Sequence, residues 1–230
     1  MDKIVVLSGA GMSADSGLKT FRDADGLWED HDIRQVATPR AWEADKELVL
    51  DFYNQRRKQA FDAIPHAGHK ALANLEAKYE VTVVTQNIDS LHEQAGSTEV
   101  VHLHGEISKV RSEEDPSLIY NIGGDSVDVG DTADDGAQLR PHVVWFGEPV
   151  PNMEKASALV SAADILIVIG TSLVVYPAAG LQEFANPAIL KYIIDPANPE
   201  LTDYSEWKHI RKTAEEGTPS LVSELLNRYR

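Results

Sequence analysis

Cysteine is absent from the 230 residues, so the chain can form no disulfide, use no thiolate nucleophile and hold no metal on sulfur. Long apolar runs are absent too. The longest, Ala162 to Gly170, is interrupted by Asp164 and is far shorter than the roughly 20 residues that cross a bilayer, so no membrane partner is expected. Basic residues are scarce, 21 Lys and Arg against 37 Asp and Glu, and the net charge of −16 argues against phosphate-driven binding of nucleic acid. The opening MDKIVVLSGAG reaches a glycine turn without the apolar segment and cleavage site of a secretory signal, which makes the cytoplasm the expected location. What is present, 43% hydrophobic and 25% charged residues, is the profile of an ordinary globular protein. The length suits one large domain with a core of its own, and nothing in the composition specifies an oligomeric state.

Apolar, β-branched runs recur at Lys3–Leu7, Val81–Thr85, Val143–Phe146, Ile165–Ile169 and Ile189–Ile194, each read as a strand. Helical patterns lie between most of them, at Lys46–Ile64, Ala67–Tyr79, Met153–Ala163 and Ser220–Arg230. Such alternation predicts an α/β fold with a Rossmann-like parallel sheet, helices on both faces, and a small lobe made from insertions. The whole of 1–230 is expected to be one domain, with a core near 1–22, 80–105 and 143–230 and a small lobe near 23–79 and 106–142. Residues 112–139 stand apart, with eight acids and no Lys or Arg. They read as a solvated hairpin or loop, and their acids do not follow the spacing of an EF-hand calcium loop.

Gly9-Ala10-Gly11 sits where the first strand meets a helix, a position where backbone amides can cradle a pyrophosphate. Ala14 fits the third small position of the dinucleotide fingerprint, but no strand ending in an acid follows about twenty residues later, which disfavours a hydride-transfer Rossmann module. The longer stretch GAGMSADSGLKTFRDADGLW is more specific, and Thr85-Gln86-Asn87-Ile88-Asp89-Ser90-Leu91-His92, His102-Leu103-His104-Gly105, Val143-Val144-Trp145-Phe146-Gly147-Glu148 and Gly170-Thr171-Ser172-Leu173 follow in order. Together they resemble the signatures of the sirtuins, NAD-dependent protein deacylases.

The resemblance implies that NAD is consumed as a co-substrate, the acyl oxygen of a modified lysine displacing nicotinamide from C1′ of the ribose. It implies a cofactor site of Gly9, Ala10, Gly11, Asp15, Phe21, Arg22, Trp28, Gln86, Asn87, Ile88, Asp89, Gly170, Thr171, Ser172, Asp195 and Ala214. Phe21 and Arg22 would belong to a loop that closes over the nicotinamide side. Asp195 departs from the Asn expected there. By residue type alone, Asn87 and Asp89 after a strand could equally be helix caps, and His102 and His104, two apart on one strand, would project the same way. The His-Gly pairing of the resembling motif selects His104 as the general base, with Asn87 as its catalytic partner. Val144, Trp145, Phe146, Gly147 and Glu148 would receive the substrate backbone by strand addition.

Tyr53 and Arg56 lie three apart within a helical pattern and so share a face, and an Arg fork beside a phenol suits a carboxylate. With Ala37 they resemble the class III sirtuins, which accept succinyl or malonyl lysine, and His142 follows the bacterial members of that class. The family commonly holds a structural zinc on four cysteines between positions equivalent to 109 and 140. No zinc is predicted here, so the lobe must rest on residues such as Leu118, Ile119, Tyr120 and Ile122. The expected partners are acylated lysine side chains of proteins. Competing readings are an NAD-dependent protein ADP-ribosyltransferase and a non-catalytic NAD-sensing module.

Overall fold

The computed structural model describes residues 1–19, 27–28, 31–201 and 203–228. The chain runs β1 (Lys3–Ser8), α1 (Gly11–Ala14), β2 (Leu27–Trp28), β3 (His31–Asp32), α2 (Ile33–Val36), α3 (Pro39–Ala44), α4 (Lys46–Asp62), α5 (Ala67–Leu75), β4 (Glu80–Thr85) and α6 (Leu91–Gln94). It continues through β5 (Val100–His102), β6 (Gly105–Ser112), β7 (Ile119–Asn121), β8 (Leu139–Val143), α7 (Met153–Ser161), β9 (Ile165–Ile169), a 3₁₀ segment (Ala178–Phe184), β10 (Leu190–Ile194), β11 (Trp207–Ile210) and α8 (Ala214–Asn227). No helix among the described residues is long and apolar enough to cross a membrane.

Six strands form one parallel sheet in the order β11-β10-β9-β1-β4-β5. The near-continuous Val/Ile/Leu runs are what a sheet covered on both faces requires. Alternate side chains sort accordingly. Ile4, Val6, Val83, Ile167 and Ile194 pack with Leu72, Leu75, Leu221 and Leu225 of α5 and α8. Val5, Leu7, Val84, Leu166 and Val168 pack with Ala156 and Val160 of α7 and with Leu181. Helix α5 therefore belongs to the sheet, not to the small lobe where its place between residues 23 and 79 put it. Its apolar face finds α8, and the Tyr79 hydroxyl donates to Leu225 O at 2.8 Å.

The third expected strand, Val143–Phe146, is displaced. Leu139–Val143 pairs antiparallel with β6 in a three-stranded sheet β7-β6-β8, and 144–146 continue outside any strand. Helix α8 begins earlier than its pattern suggested, because Thr213 caps it by accepting the Glu216 amide at 3.4 Å, and it runs on through Pro219 in its interior. The edge strands β5 and β11 are too short to show a pattern of their own.

The small lobe has a separate core in which Val36, Trp42, Leu50, Phe52, Tyr53, Ile107, Val110, Val127 and Trp145 meet. Of the anchors expected from sequence, Tyr120 and Ile122 are partly buried and pack against this core, but others carry its centre. Ile119 is 44% exposed, while Val110 and Val127 are buried. The acidic segment is held largely by side chains that imitate backbone. The Ser112 hydroxyl donates to Asp135 at 2.6 Å and accepts the amides of Glu114 and Asp115, and the Gln138 amide group ties Gly130 N to Asp128 O. Asn54 of α4 pairs with both polar groups of Val127, at 2.9 and 3.0 Å, and accepts from buried Arg57 at 2.6 Å. Asn54→Ala should therefore cost about 1–3 kcal/mol and speed amide exchange around Val127 while β1 and β9 stay protected. Unchanged exchange there would show that the segment is anchored elsewhere.

Candidate active site

The sheet reverses direction of winding between β1 and β9, and the carboxyl ends of strands at such a point leave a crevice for a ligand. A cleft of about 510 Å³ opens there, lined by the ends of β1, β4, β9 and β10 and by segments of the small lobe. Two loops meet at its floor. Gly170 has φ +59°, and a Cβ on it would lie 2.4 Å from Gly11 C and Met12 N, so only glycine lets these backbones touch. The Gly9 amide donates to Ile169 O at 3.0 Å and the Gly11 amide to Gly170 O at 2.8 Å. These two glycines thus serve the junction of the loops, and their amides are engaged within it. Ala14 is exposed in the cleft, and it is Met12, fully buried, that packs on the sheet.

Behind the floor runs a buried polar chain. The Asn87 amide group donates to Ser13 Oγ at 2.9 Å, and Ser13 donates to Asp89 Oδ2 at 2.8 Å. Asp89 Oδ1 also accepts the Leu91 amide at 3.1 Å, at the start of α6. Burial pushes the Asp89 carboxyl above the usual range, against the bonds from Leu91 and Ser13. Ser13 is the hub of this chain, and although it stood inside the first motif its type and position alone did not single it out.

The two histidines do not project alike. β5 ends at His102, whose ring contacts Asn87 O at 3.0 Å and the Glu93 carboxylate at 2.8 Å. His104, beyond the strand, lines the cleft. Its Nδ1 lies 2.9 Å from Gln86 O. A carbonyl can only accept, so Nδ1 carries the proton and the lone pair of the neutral ring sits on Nε2. Burial lowers the affinity of His104 for a second proton, partly offset by the Gln86 carbonyl. A neutral, oriented imidazole is the form a general base needs.

On the lobe side, Ala37, Tyr53 and Arg56 line the same cleft as His104. The Tyr53 hydroxyl accepts the Trp145 indole N–H at 3.1 Å, which orients a fully buried ring, and Arg56 lies over Phe52 at 5.9 Å. Val144, Trp145, Phe146, Gly147 and Glu148 are also in the wall, but four of their amides are already used, that of Glu148 by Trp145 O at 3.0 Å. Val144 N donates to His104 O, Phe146 N to Ala37 O and Trp145 N to the Glu148 carboxylate. Strand addition through those amides is therefore closed to a peptide. The Glu148 carboxylate is committed as well, accepting Arg140 at 2.8 and 3.1 Å; it buckles the segment together.

At the far end, Asp195 closes β10, is buried, and accepts the Ala197 amide at 2.8 Å. Thr171 accepts from the Gln86 side chain at 3.2 Å. Asp15 lines the cleft but accepts the Glu215 amide at 3.2 Å, tying the first loop to α8. Ile88, Ser172, Ala10 and Ala214 complete the predicted residues found in the lining. Phe21 and Arg22 lie outside the described residues, and of Trp28 only the backbone is described. Val175, Tyr176, Pro177 and Thr213 line the cleft without any motif having marked them.

A profile of the Sir2 family matches residues 9–177. The NAD-dependent protein deacylase of Helicobacter pylori strain 26695 is 57% identical over 196 residues, 85% of each chain. The NAD-dependent protein deacylase of Bacteroides thetaiotaomicron is 50% identical over 98% of this chain and 99% of its own. A crystal structure of a Sir2 homologue in complex with NAD superposes with a TM-score of 0.90 at 36% identity, covering 99% of this chain and 91% of the other. Matched by a family profile over residues 9–177 and by curated relatives over 85% to 98% of its length, the chain belongs to the Sir2 family of enzymes.

Proposed function

We propose that this NAD-dependent protein deacylase favours acyl groups that end in a carboxylate, succinyl and malonyl lysine, and uses acetyl lysine as a second substrate. The observation that carries the reading is the convergence of Arg56, Tyr53 and Ala37 on the cleft that also holds His104. A guanidinium and a phenol on one face of α4 give the charged end of a short acyl chain a group to meet, and Ala37 leaves room for it.

NAD+ supplies an activated ribose, whose C1′ loses nicotinamide as the acyl oxygen attacks. The chain's own residues hold and deprotonate. In this reading Asn87 and Asp89, fixed through Ser13, face the nicotinamide side, and Nε2 of His104 accepts the proton of a ribose hydroxyl as that oxygen attacks the acyl carbon. Asp195, an acid following a strand beside β9, would accept from the hydroxyls of the adenosine ribose, the role for which no acid follows the first glycines in sequence.

Purified enzyme assayed with acetyl, malonyl and succinyl peptides should release nicotinamide and acyl-ADP-ribose. A protein carrying ADP-ribose in the product spectrum would support the transferase instead. Arg56→Met should reduce kcat/KM on succinyl peptide about 10- to 100-fold, the range for losing a bond to a charged group, and change acetyl peptide only a few-fold. Equal losses on both peptides would defeat the carboxylate preference and leave the deacylase chemistry standing.

A further inference from the structure

Behind the segment that carries His104 lies a second cavity of about 270 Å³, between β5, β6, β8 and the start of α7. Its polar lining is His102, Glu106, Arg111, His142, Asn152 and Lys155. Glu106 is the one acid among the described residues there, and its carboxylate is already paired with Lys109 at 2.7 Å. His102 is paired with Glu93, and Lys155 meets Glu99 at 3.3 Å in an exposed contact.

Arg111 and His142 are left differently. Among the described residues the Arg111 guanidinium makes no hydrogen bond. Its carboxylate contact is Glu148 at 3.6 Å, and that group is held by Arg140 and the Trp145 amide. The Arg111 side chain is nevertheless only 15% exposed. Nδ1 of His142 is buried with no protein partner among the described residues. Burial first, and then the charge of Arg111, hold the His142 ring below its usual basicity. A mostly buried guanidinium with one long ion-pair contact, beside a buried ring nitrogen without a protein partner, gives the cavity a wall with bonding capacity left for an anionic ligand.

We infer that this rear cavity is a binding site for a small oxyanion, a carboxylate or phosphate group, received by Arg111 and His142 with Lys155 at the mouth. The cavity shares its wall with the active site. Gly105 pairs with Val143, and Val144 N donates to His104 O at 2.9 Å, so an occupant bears on the backbone that positions the base. Nothing in this depends on which acyl group the enzyme prefers.

The test is titration of inorganic phosphate, and separately of succinate, into isotopically labelled protein saturated with NAD+ so that the main cleft is filled. Ionic strength is held constant with chloride, and the ring signals of His142 are followed. A saturable shift with either anion is expected, phosphate alone indicating a phosphoryl ligand, succinate alone a carboxylate, and both a plain oxyanion site. Arg111→Gln should weaken binding about tenfold, as for loss of a charge-assisted bond, and Lys155→Ala should weaken it less while leaving the fold intact. No response of the His142 ring to either anion, or a response identical in wild type and in Lys155→Ala and Arg111→Gln, would overturn the assignment.

Discussion

His104→Ala is expected to lower turnover about a thousandfold, within the range for a positioned acid or base, while NAD+ binding stays within a few-fold of wild type. The large effect follows from geometry. The Gln86 carbonyl can only accept, so it fixes the tautomer in which Nε2 carries the lone pair. Burial keeps that nitrogen unprotonated at neutral pH. The small effect on binding follows from where the other contacts are, since the loop junction at Gly11 and Gly170 and the chain Asn87–Ser13–Asp89 do not pass through the imidazole. Nicotinamide release with acylated peptide measures the first quantity and calorimetric NAD+ binding the second. Wild-type turnover in the variant would remove His104 from the role of base, and loss of NAD+ affinity in parallel with turnover would make it a binding residue.

Those parts of the site that depend on strand ends were legible because the strands are. Lys3–Ser8 and Ile165–Ile169 are apolar at nearly every position, which in an α/β pattern means a strand buried on both faces. The polar residues that follow such strands have to emerge at one edge. Parts that depend on long-range pairing were hidden. Val144–Phe146 has the composition of a strand, yet its amides are claimed by His104 and Ala37, distant in sequence, and by Glu148. At Gly9 and Gly11 what approaches is Gly170, in another loop of the same chain, a contact that no local motif reveals. Leu173, with φ +57° and a buried side chain, holds a left-handed conformation that no residue-type rule assigns to leucine. Tyr53 and Arg56 were legible because a helix face is a local property, and α4 spans both. The histidines at 66, 69 and 92 showed nothing in isolation, because only the packing of α5 against α6 turns them into a group.

That group sets the behaviour in acid. The rings of His66 and His69 lie 4.2 Å apart and those of His69 and His92 5.0 Å apart, beneath the first loop of the cleft. His66 reaches Met12 O at 2.7 Å and His92 reaches Ser8 Oγ at 2.9 Å. His69 is fully buried, and neither of its nitrogens has a protein partner among the described residues. Burial, then the neighbouring His92 and His66, push His69 down to about 2, and burial lowers His92 to about 4. Both rings are therefore neutral in the folded protein, while the unfolded chain takes up a proton at each as pH falls through its ordinary value of 6.5. The unfolded state binds more protons in that interval, so stability is full above pH 6.5 and declines below it, by about 1.4 kcal/mol per pH unit for each ring. His104 and His142 add in the same direction. His102 opposes them, since Glu93 raises it in spite of burial. The paired carboxylates Glu93, Glu113 and Glu148 are lowered by their bonds against the pull of burial, and their contribution is lost only as pH falls below their ordinary value of 4.5. Between pH 6.5 and 5 the histidines therefore dominate, and the loss reaches about 3–4 kcal/mol, a large share of the 5–15 kcal/mol that typically holds a domain together. Urea unfolding at pH 7.5, 6 and 5 should show the midpoint falling steeply. In His69→Leu, which also removes two buried polar atoms, the pH slope should drop by close to one proton and stability at pH 5 should exceed that of wild type. A wild-type midpoint flat from pH 7.5 to 5 would mean that these rings are not held neutral by the fold.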